Sequence, residues 1–161
     1  MGKIAAAQIV GSLSPDGDVR AAARDAMAIA LATFKRGRPI LVVSHFDADG
    51  LTAAAILIRA LRQAGWETVS LVVGKGESPW DTEVAARLAE HELGGLIVAD
   101  LGTRADPVLP GCPTLVIDHH VPTGEPRDAI TISGNGLDPE PTTALLAWWA
   151  AGALGDQADL L

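Results

Sequence analysis

Several residue types are scarce in this sequence, and each shortage excludes a class of protein. The single cysteine, Cys112, rules out an internal disulfide within the 161 residues and is typical of a reducing compartment. Aromatic residues amount to 4% and tyrosine is absent, yet 48% of the residues are hydrophobic, which excludes a disordered chain. Acidic residues outnumber basic ones, and the net charge of −8 gives no basic face for gripping nucleic acid unaided.

Long apolar runs are lacking as well. The segment Ile4–Val10 is apolar, but it is too short to span a membrane and makes a poor signal peptide because no small-residue cleavage pattern clearly follows it. We therefore expect a cytoplasmic protein without membrane association. The length predicts one domain with enough residues to bury a hydrophobic core.

Apolar periodicity predicts strands that alternate with helices along the chain. The spacing of apolar residues predicts helices over Val19–Phe34, Leu51–Ala64, Asp81–Leu93 and Thr142–Ala151. Short, nearly continuous apolar runs predict strands over Ile40–Ser44, Thr68–Val73, Leu96–Ala99, Thr114–Ile117 and Ala129–Ser133. This alternation is typical of the α/β class, and it predicts a doubly wound, mostly parallel sheet with helices on both faces.

Three of the predicted strands lead directly into carboxylates. Asp47 and Asp49 follow the first strand, Asp100 follows the third, and Asp118-His119-His120 follows the fourth. If these strands are parallel neighbours, the acids and imidazoles meet at the edge where open α/β sheets bind ligands. Clustered carboxylates repel one another unless a cation lies among them, and mixed Asp and His ligands are typical of divalent metals. The acidic excess therefore combines a solvated surface with a metal-binding cluster.

The first acidic segment favours metal binding over a purely structural role. In an extended segment residues two apart face the same side, so Asp47 and Asp49 can point at one ion. The alternative is that Asp49 caps the helix starting near Leu51, but one helix does not need two caps. His45 lies on the same side, either as a ligand or as a hydrogen-bond partner of a carboxylate.

The second and third segments strengthen this interpretation. Asp100 alone would be interpreted as a turn residue before Gly102, but beside the other acids it becomes a candidate bridge between two ions. Three ionisable residues at a buried strand end are costly without a function, although a surface loop before Pro122 remains the alternative. Because neighbouring side chains alternate in direction, one histidine is expected to bind metal and the other to face a substrate. Asp118 is expected to orient a neighbouring side chain.

With these segments in view, the chain resembles the DHH phosphoesterase family. The resemblance rests on Ser44–Gly50 and on Asp118-His119-His120, with Val98–Gly102 similar to the second motif of the family and Gly155–Asp159 similar to the fourth. It covers about residues 40–161, and the Asp-x-Asp-Gly form is most similar to the RecJ-like nuclease branch. Spacing alone cannot choose between Asp156 and Asp159, but the resemblance selects Asp159.

The resemblance implies a ligand set and a cofactor. Two divalent ions, usually manganese with magnesium as the alternative, would be held by Asp47, Asp49, Asp100, His119 and Asp159. Some branches add an upstream histidine, for which His45 is the candidate. His120 would contact the phosphate, which makes His120 and Asp118 the candidate catalytic residues.

The resemblance also implies a function. The expected activity is metal-dependent hydrolysis of phosphodiester bonds, as in a single-stranded DNA or RNA exonuclease. The alternatives are a phosphatase, pyrophosphatase or oligoribonuclease acting on a small phosphorylated substrate, and a non-catalytic scaffold. The family normally carries a C-terminal substrate-binding domain, which we expect to lie outside residues 1–161. A second domain or a homodimer partner is therefore expected.

Overall fold

The computed structural model describes residues 18–155, which form an α/β domain. Its helices are α1 (Val19–Thr33), α2 (Ala48–Gln63), α3 (Thr82–Ala89) and α4 (Thr143–Ala151), followed by a short 3-10 helix (Gly152–Leu154). Its strands are β1 (Ile40–His45), β2 (Thr68–Val73), β3 (Gly95–Ala99), β4 (Thr114–Asp118) and β5 (Ala129–Ser133). Each predicted helix and strand is present. None of the described helices combines the length and hydropathy that a bilayer-spanning helix requires.

The five strands form one parallel sheet in the order β2-β1-β3-β4-β5. The chain first adds β2 on one side of β1 and then returns to add β3 on the other side. The order therefore reverses between β1 and β3, which is the position where open sheets of this kind bind ligands. Because β1, β3 and β4 are adjacent, the carboxyl ends of all three acid-bearing strands meet at one edge of the sheet.

Helices cover both faces of the sheet, as the sequence predicts. Alternate strand residues such as Val42, Ile97 and Ile117 pack on one face against α1, α2 and α4. The residues between them, such as Val43 and Val98, pack on the other face with α3. Strands β3 and β4 are buried throughout, which explains why β3 has no polar side chain and β4 has polar residues only at its two ends.

Two helix boundaries differ from the prediction by more than one residue, for identifiable reasons. Helix α2 begins at Ala48 rather than Leu51, because Asp47 serves as the N-cap and its carboxylate accepts a hydrogen bond from the Gly50 amide. Helix α3 ends at Ala89, four residues before the predicted end. The chain turns there because the backbone amide of His91 bonds to the carbonyl of Leu88, closing a tight turn.

Candidate metal centre

The three acidic segments converge at the carboxyl edge of the sheet, as the sequence predicts. Seven of the eight candidate site residues lie there in one cluster: His45, Asp47, Asp49, Asp100, Asp118, His119 and His120. The eighth candidate, Asp159, lies outside the described residues.

The cluster contains two groups of side chains that could each hold a metal ion. One group is His45, Asp47 and Asp100, and the other is Asp100, His119 and His120. Within each group the potential ligand atoms all lie within 4.8 Å of one another. Asp100 belongs to both groups, which is the arrangement expected of a bridging carboxylate.

Asp100 is buried within the cluster and has an unusual backbone conformation. It is 3% exposed, and its backbone has a φ of 63°, a conformation that is rare for a residue with a side chain. Burial raises the pKa of Asp100 to about 6, and the charges of Asp49, Asp47 and Asp118 act in the same direction. The hydroxyl of Thr143 donates to its Oδ1 atom at 2.8 Å and partly offsets this rise. A buried carboxylate among three others is a site that a cation would stabilise.

Asp47 combines a structural role with a position in the first group. Its Oδ1 atom accepts the Gly50 amide at 3.0 Å, and its Oδ2 atom lies 2.9 Å from Nδ1 of His45. The Gly50 hydrogen bond lowers the pKa of Asp47, and the contact with His45 lowers it further. Asp47 is therefore held as a carboxylate beside the more protonatable Asp100.

Replacing Gly50 by alanine is expected to destabilise the first acidic segment. A Cβ atom at position 50 would lie 2.6 Å from the His45 carbonyl oxygen and 2.8 Å from its Cβ, so the backbone must shift. We expect Gly50→Ala to lower the free energy of unfolding by about 1–3 kcal/mol. Urea denaturation in a chelator measures this, with the exposed Thr52→Ala on the same helix as a control that changes stability by about 0.5 kcal/mol or less. Equal stability of Gly50→Ala and wild type would contradict the expectation.

Asp49 is a helix cap, but of a different helix from the one considered in the sequence. It lies in the first turn of α2, where its two oxygens accept the backbone amides of Thr143 and Ala144 at 2.9 and 2.8 Å. These amides open α4, whose N-terminus carries a partial positive charge. The Oδ2 atom of Asp49 also lies 3.6 Å from Nε2 of His119. Because α2 begins at Ala48, the extended-strand argument does not apply to Asp49.

The two histidines lie side by side, which corrects the expectation that they point in opposite directions. Their ring centroids are 4.5 Å apart. Alternation fails because β4 ends at Asp118, whose Oδ1 atom accepts the His120 amide at 2.6 Å and contacts the ring Nδ1 at 3.0 Å. The Oδ2 atom of Asp118 accepts the Gly102 amide at 2.7 Å. Asp118 therefore orients His120, whose side chain is 57% exposed.

Two residues at the site were missed from the sequence. Glu140 contacts Nδ1 of His119 at 3.2 Å, and Thr143 bonds to both Asp49 and Asp100. Both residues come from the start of α4 and the loop before it, where no periodic pattern marks them. The one available signal was the Thr142-Thr143 pair, which marks a helix N-terminus that could face the acidic edge.

The fold and the site together define a class of protein, α/β proteins with a divalent-metal centre at the carboxyl edge of a parallel sheet. The family profile described as "DHH family, N-terminal domain" matches residues 39–148. The chain belongs to the DHH family.

Curated relatives with similar sequences are single-stranded-DNA-specific exonucleases named RecJ. The protein from Salmonella typhimurium strain LT2 is 30% identical over 124 residues, covering 70% of this chain and 21% of that protein. The one from Haemophilus influenzae strain Rd is 38% identical over 101 residues, covering 56% and 18%. The one from Thermus thermophilus is 29% identical over 147 residues, covering 85% and 22%. The chain thus spans about a fifth of the length of these relatives.

Solved structures support the same fold. RecJ from Thermus thermophilus in complex with Mn²⁺ has a TM-score of 0.66 and 26% identity, covering 82% of this chain and 20% of that one. An exonuclease RecJ bound to manganese has a TM-score of 0.65 at 24% identity, covering 82% of this chain and 37% of that one. The latter similarity bears on the fold alone.

Proposed function

We propose that this chain carries the metal centre of a phosphoesterase that hydrolyses phosphodiester bonds in single-stranded nucleic acid. One observation carries the proposal, which is that two groups of potential ligands share the buried Asp100. The similarity to RecJ exonucleases, of whose length this chain spans about a fifth, supports this activity.

The donor set fits two divalent ions. Carboxylate oxygens and imidazole nitrogens together suit Mn²⁺, whereas Mg²⁺ favours the carboxylates. We propose that His45, Asp47 and Asp100 hold one ion. Asp100 and His119 of the second group hold the other, joined by Asp49, whose Oδ2 atom lies 3.6 Å from Nε2 of His119. Asp159 remains a candidate ligand on the basis of its sequence motif. When bound, such a pair of ions lowers the pKa of a water molecule and stabilises the attacking and leaving oxygens.

The remaining side chains have separate roles in this proposal. The exposed ring of His120 is positioned to donate a hydrogen bond to a non-bridging phosphate oxygen, where negative charge develops. Asp118 orients that ring, because its carboxylate accepts a hydrogen bond from Nδ1 and leaves Nε2 directed away from Asp118. The ring donates from Nε2 to phosphate only when both of its nitrogens carry a proton. Asp100 must be ionised to bind metal, so acid is expected to inhibit the reaction.

The proposed substrate is single-stranded DNA or RNA. A chain with a net charge of −8 repels a polyphosphate, so positive surface must come from elsewhere. We propose that a second domain or a second copy of the chain supplies it. A cytoplasmic location is consistent with the single cysteine, which a reducing compartment would keep as a thiol.

The proposal is tested by comparing substrates at saturating Mn²⁺. We expect release of mononucleotides from short single-stranded oligonucleotides and little hydrolysis of pyrophosphate or the nucleoside bisphosphate pAp. Preferential hydrolysis of the small substrates would instead establish a phosphatase or pyrophosphatase. Tight Mn²⁺ binding without hydrolysis of any substrate would support the scaffold alternative for this chain.

Glu140 is expected to strengthen metal binding by orienting His119. Its carboxylate contacts Nδ1, which leaves Nε2 facing Asp49 and Asp100. We expect Glu140→Ala to weaken Mn²⁺ affinity by about 10- to 100-fold, measured by calorimetry, and Glu140→Gln to weaken it less because an acceptor oxygen remains.

Two controls isolate this orienting role. Asp138→Asn removes a charge from the same exposed loop and should leave Mn²⁺ affinity within about twofold of wild type. In a His119→Ala background, Glu140→Ala should have no further effect, because its partner is gone. An undiminished effect in that background would show that Glu140 acts by another route.

A further inference from the structure

Exposed apolar side chains concentrate at the same edge of the sheet as the metal centre. Among the described residues, the large hydrophobic side chains that are exposed are Ile29, Phe46, Leu51, Val72, Val121 and Leu145. Four of these six, Phe46, Leu51, Val121 and Leu145, lie within two residues along the chain of a member of the acidic cluster or of Thr143, which bonds to it. A charged centre with an apolar border fits a ligand that is anionic at one point and apolar beside it.

Phe46 is the most informative of these side chains. The chain has six aromatic residues, two Phe and four Trp, and all of them lie in the described range. Phe46 is 41% exposed, whereas the other five are buried or half-buried. It stands directly between His45 and Asp47, and its ring centroid lies 4.5 Å from that of His45, with the planes tilted by 56°. The ring is thus supported on one side and accessible to solvent.

We propose that Phe46 is a stacking platform for a nucleobase of the strand whose phosphate lies at the metal centre. The inference rests on the proposed function, because the phosphate fixes where the base must lie. The base of a nucleotide is separated from its phosphate by one sugar. A side chain that lies between two metal ligands, as Phe46 does, can reach a base at that distance. Stacking is also suited to this edge because it does not need positive charge, and the chain has little to offer.

The experiment measures binding of a short single-stranded oligonucleotide with hydrolysis-resistant phosphorothioate linkages at saturating Mn²⁺. Two further oligonucleotides keep every phosphate but lack the two terminal bases, one at the 5′ end and the other at the 3′ end. We expect wild type to bind the complete strand roughly 5- to 150-fold more tightly than the one lacking bases at the bound end. Fluorescence anisotropy at two salt concentrations should give the same ratio, because both strands carry equal charge.

The variants assign this preference to one ring. Phe46→Ala should bind the complete strand as weakly as the strand lacking bases, with affinity for the latter unchanged. Phe46→Trp should restore the preference. Ile29→Ala, an exposed apolar residue of α1 that is 43% exposed, is the matched control and should behave as wild type.

Each other outcome overturns the inference in a distinguishable way. If wild type binds both strands equally, or if Phe46→Ala weakens both equally, Phe46 is not a base platform. If Phe46→Ala instead dissociates a dimer in sedimentation experiments, the apolar border is a protein interface. Hydrolysis of unmodified strands is measured separately. Hydrolysis without a base preference in binding would retain the proposed function and reject stacking on Phe46. Base-dependent binding without hydrolysis would retain stacking and reject the proposed function.

Discussion

Asp100→Asn is expected to abolish tight binding of both metal ions and to reduce phosphodiester hydrolysis by about 100- to 1,000-fold. The side chain belongs to both groups of potential ligands, so its replacement removes a negative donor from each. Asparagine keeps the shape and can still accept the hydrogen bond from Thr143, so the fold should be retained. Calorimetry with Mn²⁺ is expected to show affinity lowered more than about 100-fold, beyond the loss that follows removal of an orienting partner.

The stoichiometry of the same titration separates a bridging role from an ordinary one. A variant at a non-bridging ligand, such as Asp47→Asn, should retain one of the two ions. If Asp100→Asn also retained one ion at wild-type affinity, Asp100 would bind only a single ion. The exposed Asp128→Asn is the control for loss of a carboxylate elsewhere and should bind metal as wild type does.

The same substitution should make the metal-free protein more stable at neutral pH. The pKa of Asp100 is raised from 3.8 to about 6, so the folded state binds its proton more tightly than the unfolded state does. The ionised carboxylate of Asp100 therefore lowers the free energy of unfolding of the wild type above pH 6. This loss of stability shrinks as pH falls from 6 towards 4 and disappears below that. Asparagine never ionises, so Asp100→Asn should exceed wild type by up to about 3 kcal/mol at pH 8.

Urea denaturation in a chelator across pH 3.5–8 would measure this difference. The advantage of Asp100→Asn should shrink steadily between about pH 6 and pH 4, where the wild-type carboxylate becomes protonated in both states. A difference that did not vary with pH would mean that the substitution acts through packing. Adding Mn²⁺ should reverse the order of stability at pH 8, because the ion binds the folded wild type and not the variant.

Much of the fold could be predicted from the sequence because the pattern of apolar residues is strong. Strands β2 and β5 match their predicted bounds, and the buried strands β3 and β4 each differ by one residue at one end. Adjacency of β1, β3 and β4 required one assumption, that the acids following them act together. The observed strand order places these three strands side by side, so the position of Asp100 among the other acids could be predicted.

The contacts that hold the cluster in place could not be predicted in the same way. Asp49 and Thr143 are 94 residues apart, and no periodicity connects the start of one helix with an acid in the first turn of another at that separation. The side-by-side histidines depend on hydrogen bonds that the backbone amide and ring Nδ1 of His120 make to the Asp118 carboxylate, which interrupt the extended backbone. Alternation rules hold within regular strands, and the site begins where the strands end.

The first peptide units of α4 give the chain a built-in substitute for part of a cation. The backbone amides of Thr143 and Ala144 donate hydrogen bonds to the carboxylate of Asp49. The aligned peptide dipoles of α4 add roughly half a positive elementary charge at this end of the helix. A chelating agent can strip ions from such a cluster but leaves this contribution intact. This contribution offsets part of the repulsion among the acids whether or not an ion is bound.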